Sequence, residues 1–147
     1  MKITFRGIGS VARMVDWANR FIKSALVVAG VTDLEPCHGD VIAALLERDG
    51  RHLSDITQAT HRTKPTLTVL VNHLEANGYV RRKPSKTDAR VAEIWLTAKC
   101  RRLIPLFLDI SARMAAEITK NLMADETKEL DRLLVKVISQ PTKETSK

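Results

Sequence analysis

Between His61 and Arg90 the chain carries seven cationic side chains, Arg62, Lys64, Arg81, Arg82, Lys83, Lys86 and Arg90, against only Glu75 and Asp88. That local net of +5 supplies most of the formal +7 of all 147 residues. Cations gathered this tightly suit a polyanion, because each one set against a phosphate releases a condensed counterion. The side chains among them are of another kind. Thr63, Thr66, Thr68 and Asn72 are short hydroxyls and an amide that can reach base edges and phosphate oxygens. Val69 offers an apolar surface of the size of a thymine methyl.

Other reactive groups are sparse. Cys37 and Cys100 are far apart and have neither a metal-ligand nor a redox-pair spacing. Cys37 falls in the first turn of an expected helix, where the dipole favours a thiolate; it is either a redox switch or an inert packing residue. His38, His52, His61 and His73 lie on four segments without the i, i+4 spacing of a zinc pair, so neither a metal nor a cofactor is expected. No nucleophile motif, glycine-rich phosphate loop or spaced carboxylate pair occurs, which argues against an enzyme. The first ten residues contain no apolar run of signal-peptide type, and Ala25–Val31 is too short to span a bilayer. These features predict a cytoplasmic protein with free thiols and no membrane partner.

The elements that must position these residues follow from periodicity. At 147 residues, with 44% hydrophobic, 28% charged and only 4% aromatic, the chain can build a core of aliphatic side chains, which favours helices. A first helix is expected over about Ser10–Ala29, ended by Gly30. A second begins near Pro36, turns Val41, Leu45 and Leu46 inward and ends at Gly50. After an extended Arg51–Leu53, Ser54 is positioned to cap a short helix over Asp55–Thr60. A tight turn at His61–Arg62 leads to a helix over Lys64–Asn77, with Thr63 as its cap and Pro65 in its first turn. There Leu67, Leu70, Val71 and Leu74 make one buried stripe. Pro65, Thr68, Val69, Asn72, His73 and Ala76 are left on the free face, with Thr63, Lys64 and Thr66 at the N-terminal end, where unpaired N–H groups suit a phosphate. Tyr79–Lys83 and Val91–Leu96 read as strands joined by the basic loop Pro84–Arg90, whose Lys86 and Arg90 can reach a minor groove. Thr97 caps a long helix bent near Pro105 and running to about Leu122. A last helix after Asp125 buries Leu130, Leu133, Leu134, Val137 and Ile138, and the tail from Pro141 is polar. The fold class is mainly α with a small β-hairpin wing.

Residues from His38 to about Cys100 resemble the multiple-antibiotic-resistance regulator (MarR) family. The resemblance rests on His38-Gly39-Asp40-Val41-Ile42, the run Lys64–Val80, the wing element Asp88-Ala89-Arg90 and Leu96-Thr97-Ala98-Lys99. It implies one MarR-like domain over 1–147: a winged helix-turn-helix region over 37–96, flanked by dimerisation helices in 1–36 and 97–147. It implies a homodimer that binds a pseudo-palindromic double-stranded operator, usually as a repressor, and is often released by a small molecule or an oxidant. Lys64–His73 would be the recognition helix and Arg90 the wing-tip residue, held by an ion pair from Asp88. The expected DNA-binding set is Thr63, Lys64, Pro65, Thr66, Thr68, Val69, Asn72, His73, Arg81, Lys83, Lys86 and Arg90. Three positions depart from the family: Val69 where arginine is common, His61 at a turn position that favours glycine, and Cys100 where glycine usually follows Leu-Thr-x-Lys. Val69 is the feature that most favours the alternative, a winged-helix module that docks on a protein.

Overall fold

The computed structural model describes residues 7–139, so the tail from Pro141 lies outside the described residues. The chain divides into two compact units, one ending at Ile110 and the other beginning at Ser111.

In the first unit, helix α1 spans Gly7–Val28. It stops where Gly30 takes a positive φ of 78° and Val31 N–H donates to the Leu26 carbonyl. Only Leu26 of α1 is buried; Ile8, Val11 and Val15 are exposed. A 3₁₀ turn, Pro36–His38, opens into α2, Gly39–Glu47, with Pro36 at the position where a missing N–H costs nothing. Val41, Ile42, Ala44 and Leu45 of α2 are buried. Leu46, expected to point inward, is exposed instead. It lies about 100° around the helix from Leu45, and α2 ends one residue later, before the chain turns at Gly50.

The next helix does not use Ser54 as its cap. After the two-residue strand β1, Arg51–His52, helix α3 starts at Leu53 and runs to Thr60. Asp55, in its first turn, accepts the His52 N–H at 3.3 Å, and the earlier start follows from that bond. His61 takes the left-handed conformation, φ 53°, at the turn position where glycine is the easier residue. Helix α4 is Lys64–Ala76. Thr63 occupies the cap position, but its hydroxyl pairs with the Thr66 hydroxyl at 2.9 Å rather than with a backbone N–H. Pro65 has removed one of the N–H groups a cap would serve, and Thr66 competes for the Thr63 oxygen.

Gly78, φ 75°, ends α4 and lets Tyr79 N–H return to the Leu74 carbonyl at 2.8 Å. Strands β2, Val80–Pro84, and β3, Ala92–Leu96, pair antiparallel, with Val80 opposite Leu96 and Lys83 opposite Glu93. The expected hairpin gains a third member: β1 pairs with the far edge of β3, Arg51 opposite Ile94, giving the order β1-β3-β2. Thr97 does cap the following helix, its Oγ1 accepting the Cys100 N–H at 3.3 Å. The single bent helix expected there is two helices, α5 over Ala98–Arg102 and α6 over Ile104–Thr119, interrupted at Leu103. Pro105 can donate no backbone bond across the junction, and its ring excludes the carbonyl four residues back. The core of this unit joins α2, α3, α4 and the sheet through Val41, Leu45, Ile56, Leu67, Val71, Leu74, Tyr79 and Ile94, and reaches Cys100 and Ile110.

In the second unit, α7 runs Ala124–Ile138, and the Glu126 carboxylate accepts the Met123 N–H at 2.8 Å. The expectation that this helix buries its apolar stripe is not met within one chain. None of its residues is buried, and Val137 and Ile138 are 67% and 66% exposed. Such a stripe is buried only by a second surface, and the described residues leave this one uncovered.

Two glycines separate backbone strain from packing. Gly30 (φ 78°) has open space where a Cβ would stand, whereas at Gly50 (φ 69°) the Cβ would enter the Trp95 ring. Gly30→Ala should therefore cost about 1–2 kcal/mol for the left-handed backbone alone. Gly50→Ala should cost about 2–4 kcal/mol, since clash adds to strain. Urea denaturation of the two variants checks the difference; equal losses would refute it.

Candidate nucleic-acid interface

Helix α4 is held by its inner stripe, Leu67, Leu70, Val71 and Leu74, all buried. Opposite that stripe Thr63, Lys64, Pro65, Thr66, Val69, Asn72, His73 and Ala76 are exposed and Thr68 is half-buried. Val69 is 67% exposed, an apolar group with no place in the core. Thr68 spends its hydroxyl hydrogen on the Lys64 carbonyl at 2.9 Å, leaving its oxygen as an acceptor. Lys64 stands in the first turn, beside N–H groups that no carboxylate of that turn covers.

Two members of this face are already engaged. His73 Nε2 donates to the Asp33 carbonyl at 2.7 Å, and its ring stacks on that of His38, centroids 4.5 Å apart and planes 9° apart. Asn72 Oδ1 accepts from Arg82 Nη2 at 2.7 Å. Arg82 also forms an ion pair with Glu75, whose carboxylate accepts the Arg82 backbone N–H at 3.0 Å. Arg82 was not singled out among the cations, yet the strand alternation that exposes Arg81 turns Arg82 toward α4.

The base of α4 is tied to the rest of the unit through Asp33. Its carboxylate accepts from the Tyr79 hydroxyl at 2.5 Å and from Lys99 Nζ at 3.3 Å. Lys99 lies over the Tyr79 ring, 4.0 Å from its centroid, and donates to the Asn77 carbonyl at 2.7 Å. The Tyr79 bond holds the Asp33 carboxyl below its ordinary pKa; burial and that same contact push the Tyr79 hydroxyl above its own. Ahead of α4, Arg62 grips Asp40 with two donors, at 2.5 and 2.8 Å, pinning the turn.

The wing loop is anchored from within. Ser85 is buried, its hydroxyl 3.3 Å from His52 Nε2 and 3.1 Å from Thr87 Oγ1, and its N–H donates to the Val91 carbonyl. The expected ion pair between Asp88 and Arg90 is not formed; Asp88 Oδ1 accepts the Arg90 backbone N–H at 3.0 Å instead. An aspartate reaches the amide two residues ahead without leaving its turn. Lys86 and Arg90 are exposed at the tip and Arg81 on the strand, while Lys83 lies over the Trp95 ring at 4.8 Å.

Of the two thiols, Cys37 is half-buried in the 3₁₀ turn. Cys100 is fully buried, and burial pushes its pKa up to about 11. Among the described residues no group of three or more His, Cys, Asp or Glu is placed to hold a metal ion. No helix among them is long and apolar enough to cross a membrane.

The stacked imidazoles make stability depend on pH. His38 is buried, and its Nδ1 accepts the Glu35 N–H at 2.9 Å. Burial, then the neighbouring His73, lowers its pKa from the ordinary 6.5. The folded state thus binds fewer protons than the unfolded one just below that value, so stability rises with pH there and is lost on acidification. Melting temperature should fall as pH drops below 6.5, and His38→Gln should flatten the slope; an unchanged slope in the variant would contradict this. In the native protein, a thiol reagent at neutral pH should leave Cys100 unmodified until denaturant is added, read by mass spectrometry.

Comparison with known proteins agrees with this arrangement. Residues 29–91 match the MarR family. The chain is 26% identical over 99 residues to the transcriptional regulator HosA of Escherichia coli O157:H7, covering 67% of this chain and 73% of that one. The fold is similar to BpsR of Bordetella bronchiseptica, TM-score 0.82 at 16% identity over 95% of this chain and 97% of that one. It is also similar to a mutant MarR from E. coli complexed with operator DNA, TM-score 0.77 at 23% identity over 92% of this chain and 99% of that one. The winged region, residues 29–91, is thus similar to the MarR family, and the fold in which it is set is that of the solved MarR structures.

Proposed function

We propose that this protein is a transcriptional regulator, a repressor in its usual mode, that binds a pseudo-palindromic DNA operator as a homodimer in the cytoplasm. The observation that carries the reading is the face of α4: exposed at Lys64, Thr66, Val69 and Asn72, flanked by the exposed Arg81 of β2 and by Lys86 and Arg90 of the wing tip, and free of acidic groups in its first turn. Lys64, Thr63, Thr66 and the helix N–H groups take a phosphate; Thr68, Val69 and Asn72 face base edges in the major groove. Lys86 and Arg90 enter the adjoining minor groove, with Arg81 and Lys83 near the backbone. His73 drops out of the contact set, because Asp33 and His38 hold its ring.

The second copy is supported by the uncovered apolar groups of α1 and α7, Ile8, Val11 and Val15 in one and Leu133, Val135, Val137 and Ile138 in the other. Control by a small molecule is supported by BpsR, whose DNA binding is regulated by 6-hydroxynicotinic acid. Cys37, the more accessible of the two thiols, is the place where an oxidant would act. A second reading, docking on a protein, draws on the bare Val69 side chain; a thymine methyl fills the same place.

A gel shift with the DNA upstream of the protein's own gene, against scrambled competitor, separates the two. Operator binding should weaken with salt at a log–log slope of about −0.9 per phosphate contact. Arg90→Ala or Lys86→Ala should make that slope shallower, and Thr68→Ala should alter preference by about 1–3 kcal/mol at the affected base. Equal binding to both DNAs, with no effect of the wing substitutions, would overturn the reading.

A further inference from the structure

The amide of Asn72 is not free to present either end to DNA. A guanidinium has only donors, so the atom facing Arg82 at 2.7 Å must be the amide oxygen, and the NH₂ is turned the other way. Arg82 cannot readily yield, because Glu75 holds both its guanidinium and its backbone N–H. The network crosses from β2 to α4 and ends at the exposed Asn72, where the only outward function left in full is a pair of N–H donors.

This matters for which purine the helix can read. An unconstrained asparagine reads adenine in a bidentate way, accepting from N6 and donating to N7. The oxygen keeps a second lone pair, but with the Arg82 guanidinium on it the acceptor half of the adenine contact is weakened while the donor half is left whole. Guanine offers two acceptors, O6 and N7, and asks for no acceptor in return. We propose, resting on the operator-binding reading above, that Arg82 is a specificity-determining positioning residue: it sets the Asn72 amide so that α4 selects guanine over adenine at the base pair Asn72 meets.

The test uses the full chain and a randomised duplex library, with bound sequences counted for wild type, Asn72→Ala and Arg82→Met. Wild type should enrich guanine over adenine at one position of each half-site, and Asn72→Ala should lose that preference alone. Arg82→Met frees the oxygen, so adenine should gain about tenfold at that position, the other positions keeping their order. The salt slope should stay as in wild type, because Arg82 is not held to touch a phosphate. Melting curves confirm folding, and Arg82→Thr, which suits a strand, carries the same expectation if Arg82→Met does not fold. A uniform loss at every position, a loss without an adenine gain, or a shallower salt slope would overturn the proposal. Wild-type preference that ignores both Arg82 variants sinks this inference alone; a wild type that enriches no sequence sinks the operator reading and this inference with it.

Discussion

Burial of Leu67, Leu70, Val71 and Leu74 clamps α4 along a single stripe and leaves the rest of its circumference outside the apolar core. Each such side chain contributes about 1.5–3 kcal/mol when fully buried. The polar ties of α4, to Arg82 and to Asp33, are worth about 1 kcal/mol each in comparison. The apolar stripe therefore decides which way the helix faces. The hydrogen bonds then set the angle of individual side chains within that orientation. A helix buried on two sides would have gained more core and lost the surface on which Thr68, Val69 and Asn72 stand.

Polar contacts of long sequence separation locate the ends of this helix. Asp33 receives His73, Tyr79 and Lys99 through three different oxygens, bringing the loop after α1, the C-terminal end of α4 and the start of α5 to one point. Thr97 adds a bond from its hydroxyl to the Gly78 carbonyl at 2.6 Å. The run Leu96-Thr97-Ala98-Lys99 has a physical reason in this setting: Thr97 caps α5 and ties it to the turn after α4, while Lys99 closes the carbonyl of Asn77. At the other end Arg62 and Asp40 fix the turn before α4, where His61 accepts a left-handed backbone. The wing is positioned in the same way, by the buried Ser85 against His52.

Two kinds of surface stand out in the sequence of elements. The cations gather on β2, the wing and the start of α4, whereas bare aliphatic groups gather on α1 and α7. The first kind of surface suits a solvated polyanion and the second a dry partner. A monomer would have reason to hide the second. Those aliphatic groups are the surface that the proposed second copy would cover.

Much of this was legible from residue order. The 3.6-residue recurrence from Leu67 to Leu74 identified the stripe, Gly30 and Gly78 ended their helices, and the polar run Pro84–Arg90 marked the loop, because each is a local preference that survives in any compact setting. Distant partners were not legible. Ser54 and Thr63 have cap chemistry, yet Asp55 and Thr66 compete locally for those roles. Leu46 and the α7 stripe are apolar, but whether a leucine is buried depends on a neighbouring surface that its own helix does not contain. Arg82 and His73 looked like any exposed cation and imidazole of their segments. Composition and local spacing thus determined by themselves the helices, the wing and the concentration of positive charge. Only the tertiary structure decided which polar side chains of α4 remain unpaired at its surface, since a hydrogen bond between positions as far apart as Asp33 and His73 or Asn72 and Arg82 exists only once the fold has brought them within 3 Å.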